Sequence, residues 1–541
     1  MRATTTAAAE PRQGRAASTR WALPGRWAWP AAFTAGALLL FFAVLRLAGT
    51  QPVKADAASN ALQAWQMLHG NPLLHGWWLT DVSFYTTELP QFMLVELVAG
   101  LRPEVAHICA ALTYTLLVVL AAFVARGRSR GAEGTVRALL TAGIMLAPAP
   151  GETAWALLLT PNHTGTGVPV LLLLLLVDLA PRRWYTAVAA GVLLALALVG
   201  DPLILVIGVL PVVVVCLARA CLALLHRRVL WYEIALGCAA ALAVPAADAA
   251  NRFIVALGGF TVSKNPAKLV QQSVLPKNVP MTIRSFLSLF GADVAGARGT
   301  LNETFAFLHF AGAVLVLAAL VLGGWRLVRT LGWRGPSAAD RADLVADVLV
   351  VAIVANIAAY FLFYQIKNVD QAHEIAPVLA LGAALAGRLL GGPLLRARLV
   401  PALAAGLACY AVMLGFAASG RQAPPDNAAV AGWLEQHGLR SGIAPYWEAN
   451  SVTLDSGGTI TMGSVKLTGR GLSPWHWNED MRLFRASDHS ANFFITVPGE
   501  QVTPARARAA FGPPARVYHF RGYTIMVWNE NLLRQLGPPV G

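Results

Sequence analysis

Charge is what this 541-residue chain has least of: Asp, Glu, Lys and Arg make up 13% of it, against roughly 25% in a soluble domain. With 56% hydrophobic residues, that shortage excludes an ordinary soluble protein and predicts a polytopic membrane protein with a polar appendage. Cysteine is scarce too. Cys109, Cys216, Cys221, Cys238 and Cys409 all sit in apolar stretches, which excludes a readable disulfide framework or CxxC metal site and makes them small core residues. Walker A, HExxH and GxSxG motifs are missing, as is a GxGxxG between strand and helix. Their absence argues against a nucleotide-driven pump and a zinc protease. There is no repeat of 20–50 residues. The net charge of +14 does not mark a nucleic-acid binder, because the arginines lie in short clusters between apolar runs, as membrane anchoring requires.

A hydrocarbon core of roughly 30 Å needs about 20 apolar residues per helix. The apolar runs 29–49, 105–125, 136–154, 166–180, 184–200, 203–225, 230–250, 304–323, 343–364, 375–391 and 399–418 meet or approach this, giving about eleven spans. Alternate connectors carry Arg126, Arg128 and Arg130, then Arg182 and Arg183, Arg227 and Arg228, Arg326 and Arg329, and Arg396 and Arg398. All fall on one side together with residues 1–28, a tail whose Ala, Thr and Arg composition is that of a disordered segment. The positive-inside rule makes that side cytoplasmic. The span after the tail is long and lacks a small-residue cleavage motif, so it reads as a retained first helix. The outer side then receives the loops 50–104 and 251–303 and a segment 421–541 that starts with a linker marked by Pro424-Pro425. This last segment reads as a small α/β domain: a helix from Ala428 to His437, then strands at Ser451–Leu454, Thr459–Met462, Asn492–Val497 and Val517–Trp528 around a Gly522 turn.

The polar residues gather in the outer connectors. In the first, Asp56 opens an amphipathic helix with Leu62, Trp65 and Leu68 on one stripe, ending in His69-Gly70-Asn71-Pro72. Asp56 suits an N-cap, and equally a carboxylate that deprotonates an acceptor hydroxyl at the membrane boundary. Asp81 reads as a loop acid and Glu88 as a dipole partner for a helix with Pro90 in its first turn. Trp77 and Trp78 read as interfacial anchors. His163 belongs to a second outer connector, and Asp201 to a Gly-Asp-Pro turn in a third. The fifth packs Lys367, Asp370, His373 and Glu374 at the mouth of a span. Boundary ionisable groups are costly and often functional, although here they could simply be solvated. Lys367 or His373 could meet a phosphate. Asp370, His373 and Glu374 could bind a metal, but no established spacing supports it. Lys264, Lys268, Lys277, Arg284 and Arg298 make loop 251–303 basic, as a solvated loop or as a partner for an anion such as a lipid phosphate.

The pattern of an acid in the first outer loop, an amphipathic helix and then Gly-Asn-Pro, here Asp56 to Pro72, resembles the GT-C superfamily of integral-membrane glycosyltransferases. It looks closest to the bacterial branch of protein O-mannosyltransferases and the lipid A aminoarabinose transferase. The segment Asp370 to Gly382 is similar to the late helix where that branch often has Arg-Tyr-x-x-Pro, with His373-Glu374 replacing Arg-Tyr. Asp56 is followed by Ala57 where many members have Asp-Glu. The resemblance implies a GT-C-like helical domain over 29–420 and, in a bacterial cytoplasmic membrane, an inverting transfer on the outer face. A polyprenyl-phosphate sugar would be the donor and a cell-envelope hydroxyl the acceptor. Asp56 would be the catalytic base, with Asp81, Glu88, His163, Lys367, Asp370, His373 and Glu374 as substrate-binding candidates. No nucleotide or redox cofactor is required; a divalent metal is left open. The competing readings are a flippase for lipid-linked glycans and a non-catalytic membrane protein whose outer domain binds envelope glycan.

Overall fold

The computed structural model describes residues 28–146, 157–158, 163–263, 268–332, 343–425, 427–469 and 471–540. Almost all of the tail, the end of the 136–154 run, most of the 149–165 connector and Lys264 lie outside them. Helix α1 (Ala28–Ala48) is followed by two short helices of the first loop, α2 (Ala55–Leu68) and α3 (Leu89–Ala99). Then come α4 (Glu104–Arg126), α5 (Gly131–Ile144), α6 (Gly167–Leu179) and α7 (Trp184–Gly200). A π-helical turn, Leu205–Val209, leads into α8 (Leu210–Leu225), followed by α9 (Trp231–Ala256), α10 (Leu275–Leu289), α11 (Thr300–Gly332), α12 (Leu344–Phe363), α13 (Pro377–Arg396) and α14 (Val400–Ala418).

Each expected span therefore falls at least in part on a described helix. Among the described residues eight of these helices are long and apolar enough to cross a membrane. The other three, α5, α6 and α7, have 14, 13 and 17 residues, and the expected run 136–154 extends past the described residues. Exposed Leu, Val and Phe stud the outer faces of α1, α9 and α11, as a lipid-facing surface requires. Helix α13 is the hub, buried on all sides from Pro377 to Leu389. Its glycines permit the approach of neighbours: a methyl at Gly382 would sit 2.6 Å from Val316 of α11, and one at Gly391 2.6 Å from Arg137 of α5. In a bilayer such small residues let van der Waals packing hold helices together.

Three helices run from one layer of polar residues to another. Helix α12, about 30 Å long at 1.5 Å per residue, has Asp343 at one end and Tyr364 at the other. At the first end Arg388 of α13 binds Asp343 and Asp178 of α6, at 2.5 and 2.7 Å. Nearby in the same part of the helices Arg219 pairs with Asp347 and Glu233. At the opposite ends of α12, α6 and α13 stand Tyr364, His163 and Glu374.

The C-terminal segment has a six-stranded sheet in the order β5-β4-β3-β7-β9-β8. Its strands are β3 (Ser441–Ala444), β4 (Thr461–Thr468), β5 (Gly471–Pro474), β7 (Phe493–Thr496), β8 (Arg516–Phe520) and β9 (Tyr523–Val527). Strand β3 lies parallel to both its neighbours, the other pairs being antiparallel. Its helices are α15 (Ala428–Gln436), α16 (Tyr446–Asp455) and α17 (Pro504–Phe511). The expected strand at Ser451–Leu454 is instead part of α16: the parallel pairing of β3 with β4 demands a crossover, and α16 is that crossover. Strand β3 was not foreseen. Its Gly442 lies under the Phe493 ring, where a methyl would approach within 2.5 Å.

A second, small sheet joins three distant parts of the chain. Strand β1 (Trp77–Leu79) pairs in parallel with β2 (Thr261–Val262) and antiparallel with β6 (Glu479–Asp480). The two outer loops and the C-terminal domain thus form one assembly on one end of the helices. Trp77 and Trp78 serve this sheet and are not membrane anchors. Trp77 is buried and donates its indole N–H to Gln66, while Trp78 donates to Ser263 and stacks on His476 at 3.8 Å.

Candidate active site

Asp56 lies in the first turn of α2, but it is not the cap. That position is held by Lys54, and no side chain caps the helix. The Asp56 carboxylate instead accepts a hydrogen bond from the Tyr446 hydroxyl at 2.5 Å. Tyr446 opens α16, so the candidate base is held by the C-terminal domain. Asn478 fixes the phenol in turn, donating to its oxygen at 3.3 Å while its own side-chain oxygen accepts from the Thr80 N–H. Helix α2 can seat so closely because Ala57, Ala58, Ala61 and Ala64 form its buried face, against Leu101, Val105 and Leu454. Burial raises the Asp56 pKa, with the Tyr446 hydrogen bond and the charge of His373 opposing the rise.

His373 and Glu374 reach this site from the short 3-10 helix Val369–Ile375, which precedes the buried α13. His373 donates from Nδ1 to the Asp370 carbonyl at 2.7 Å, leaving Nε2 3.4 Å from Glu374. Glu374 also lies 3.2 Å from His163 Nε2 and bonds the Tyr364 hydroxyl. On its other side His163 Nδ1 meets Asp201 at 2.7 Å. Asp201 is fully buried, and its carboxylate also accepts from Thr166 and from the Leu203 N–H. Burial lowers the His163 pKa, but Asp201 and Glu374 more than offset this and hold it well above the ordinary value. Burial likewise pushes Glu374 up, and His163 and His373 reverse the sign, so its carboxyl stays ionised. The imidazolium of His163 is thus clamped between two carboxylates, its ring 6.4 Å from that of His373. His163 itself has a φ of 49°, a backbone strain of the kind that persists where surroundings over-determine it.

Asp81 stands exposed at the mouth of this group, yet close-packed surroundings raise its pKa. Glu374 and Asp201 add to that rise and His163 opposes it. Glu88, at the N-cap of α3, is buried and pushed up to about 8 by that burial, so it is largely neutral at pH 7. It packs on Gly165, where a methyl would meet Glu88 Oε1 at 2.1 Å.

Of the expected residues, then, Asp56, Asp81, Glu88, His163, His373 and Glu374 come together at one end of the helices. Lys367 and Asp370 do not join them. Lys367 is exposed, and the Asp370 carboxylate accepts from Asn368 of its own loop at 3.1 Å. The trio Asp370, His373 and Glu374 is therefore not a metal cage. Among the described residues no group of three His, Cys, Asp or Glu side chains is disposed to hold a metal ion. Both nitrogens of His163 and both oxygens of Asp201 are already committed within the protein, so the residues as arranged do not fit one. Two further members matter. Asp201 reads in the sequence as a turn residue first and a site residue second, and the structure makes it the buried partner of His163; Tyr446 is not foreseen as the partner of Asp56. The basic loop 251–303 is partly neutralised, Arg284 pairing with Asp293 at 2.8 Å.

No family model matches the chain, and no curated protein does. Among solved structures it is similar to ArnT from Cupriavidus metallidurans bound to undecaprenyl phosphate. That likeness has a TM-score of 0.49 and 14% identity over 95% of this chain and 100% of that one. It is also similar to the Archaeoglobus fulgidus oligosaccharyltransferase tethered with an acceptor peptide, with a TM-score of 0.45 and 12% identity over 87% and 70%. A third likeness is to the arabinofuranosyltransferase AftD from Mycobacteria, with a TM-score of 0.40 and 17% identity over 93% of this chain and 40% of that one. All three likenesses have TM-scores below 0.5 and identities of 12–17%.

Proposed function

We propose that this membrane protein is an inverting glycosyltransferase. It moves a sugar from a polyprenyl-phosphate donor to a hydroxyl acceptor on the outer face of a bacterial cytoplasmic membrane. The observation that carries this reading is the setting of Asp56: a carboxylate from the first outer loop, bound at 2.5 Å by a phenol of the C-terminal domain and facing the charge of His373. A carboxylate with a raised pKa is a stronger base once ionised, and a catalytic pKa nearer the operating pH favours general-base transfer.

Asp56 takes the proton of the acceptor hydroxyl as its oxygen attacks the anomeric carbon from the face opposite the phosphate. The bond from that carbon to the phosphate oxygen breaks, and its electron pair leaves with the lipid phosphate. Positive charge near that oxygen supplies the electrostatic help. His373, tethered through Nδ1 to the Asp370 carbonyl, is the group we assign to it. The Asp201–His163–Glu374 chain holds Glu374, and through it the turn that carries His373. The donor class comes from the resemblance of the Asp56-to-Pro72 stretch. A carrier of lipid-linked glycan would call for a polar site near the midplane, whereas the charged groups described above gather towards the two ends of the helices.

The test is transfer by the purified protein in lipid, with a panel of radiolabelled polyprenyl-phosphate sugars. Wild type moves label to acceptor, and Asp56→Asn and Asp56→Ala lose about 10²–10⁴-fold while remaining folded. Undiminished transfer by both variants would remove Asp56 from the mechanism.

A further inference from the structure

An aromatic track leads away from Asp56 across the C-terminal domain. Its first member is Tyr446, whose hydroxyl binds the carboxylate. The Tyr446 ring meets Trp475 edge to face at 5.4 Å and Trp447 at 5.3 Å. Trp475 in turn lies near-parallel to Trp477, 5.6 Å away with 14° between planes. Trp447 is 49% exposed, and Trp475 and Trp477 are half-buried. The track is held in place. Lys466 braces the Trp475 ring from 4.6 Å, the Trp475 backbone N–H is bound to the Ser464 carbonyl, and Asn478 is fixed with a φ of 47°. Rigid indoles and a phenol, apolar on their faces and polar at their edges, lose little entropy on binding.

We propose that this track seats the acceptor and that the acceptor is a saccharide. A pyranose or furanose has an apolar face of C–H groups and a rim of hydroxyls, which matches the exposed indole of Trp447 beside the half-buried Trp475 and Trp477. The reading rests on the transferase function above and names its second substrate. Two features of the domain set the other acceptor classes aside. A peptide would be expected to add to an open sheet edge, but the edge of β5 beside the track is taken by the chain's own tail. Gly537 N–H binds the Leu472 carbonyl, and Val540 N–H binds that of Pro474. A lipid would approach from the bilayer, whereas the track is built entirely of C-terminal-domain residues. The hydroxyl nearest Tyr446 is then presented to Asp56, which takes its proton as described, the new glycosidic bond forming as the bond to the lipid phosphate breaks.

The experiment is binding of the full-length protein in nanodiscs to an array of bacterial-type oligosaccharides, followed by titration with the best-bound oligosaccharide. Wild type is expected to bind at least one series. Trp475→Ala, Trp477→Ala and the exposed Trp447→Ala should each weaken it about tenfold or more, while Trp475→Phe retains most of it. Should Trp475→Ala fold poorly, Trp447→Ala carries the comparison. Transfer by Asp56→Asn separates the two readings: full activity there would sink the catalytic assignment and leave the track standing. No binding to any oligosaccharide, or binding indifferent to all three tryptophans, would overturn the proposal.

Discussion

Replacing Tyr446 by Phe removes one hydroxyl and leaves the ring, so its effect should fall on Asp56 and, more weakly, on Asn478, whose amide loses an acceptor at 3.3 Å. The lost interaction is a 2.5 Å hydrogen bond to a carboxylate, of a kind worth about 1.5–3 kcal/mol. It favours the ionised form and works against the burial that raises the Asp56 pKa. Removing it lifts that pKa further. A base must be ionised to act, so the acidic limb of the profile of kcat/KM against pH should move to higher pH. Well below the new pKa, activity falls by about 10–100-fold; well above it, the variant approaches wild type. The assay is kcat/KM for sugar transfer from about pH 5 to 9, with solubility and melting temperature as controls. An unmoved limb would refute the reasoning. So would an equal loss at every pH, since Tyr446 would then merely hold the C-terminal domain in place.

Further expectations concern the neighbours of Asp56. Glu88→Gln should fold and retain most activity, because Glu88 is already largely protonated at neutral pH. Its folded pKa of about 8 lies above the unfolded value of 4.5, so it favours the folded state most below pH 4.5 and loses that contribution as the pH rises towards 8. The melting temperature of the wild type should therefore fall more over that interval than that of Glu88→Gln. Glu479, at about 8, and Glu448, at about 7, titrate in overlapping windows, so the difference between the proteins is the quantity to read; parallel slopes would contradict the assignment. Asp201→Ala strands the buried His163, Thr166 and the Leu203 N–H, and should cost about 3–5 kcal/mol, seen as a lower melting temperature and the loss of most activity. Arg388→Ala leaves Asp178 and Asp343 without their shared cation at the far end of the helices. It should destabilise by a similar amount yet keep the KM of whatever folds, measured on the purified monodisperse fraction; a raised KM would tie the two ends together.

What the sequence determined by itself is the part governed by local physics. Apolar runs of bilayer length must become helices in lipid, because every backbone polar group has to be satisfied within the segment. Arginines sort to one set of connectors, leaving Asp56, Asp81, His163, His373 and Glu374 on the other. The amphipathic pattern of Leu62, Trp65 and Leu68 marks α2, and Pro90 marks the start of α3. The tertiary structure decided which of those polar residues meet. Asp370 sits three residues from His373 yet turns back to Asn368, while Asp201, 38 residues from His163, is its hydrogen-bond partner. The same holds for Ser451–Leu454, whose β-branched residues suit a strand until the parallel pairing of β3 with β4 requires a crossover helix there. Nothing local marks Tyr446 as the partner of Asp56, 390 residues away. That bond exists because the C-terminal domain is stitched onto the first loop through β1 and β6, and such pairings depend on the packing of distant surfaces rather than on the character of either residue.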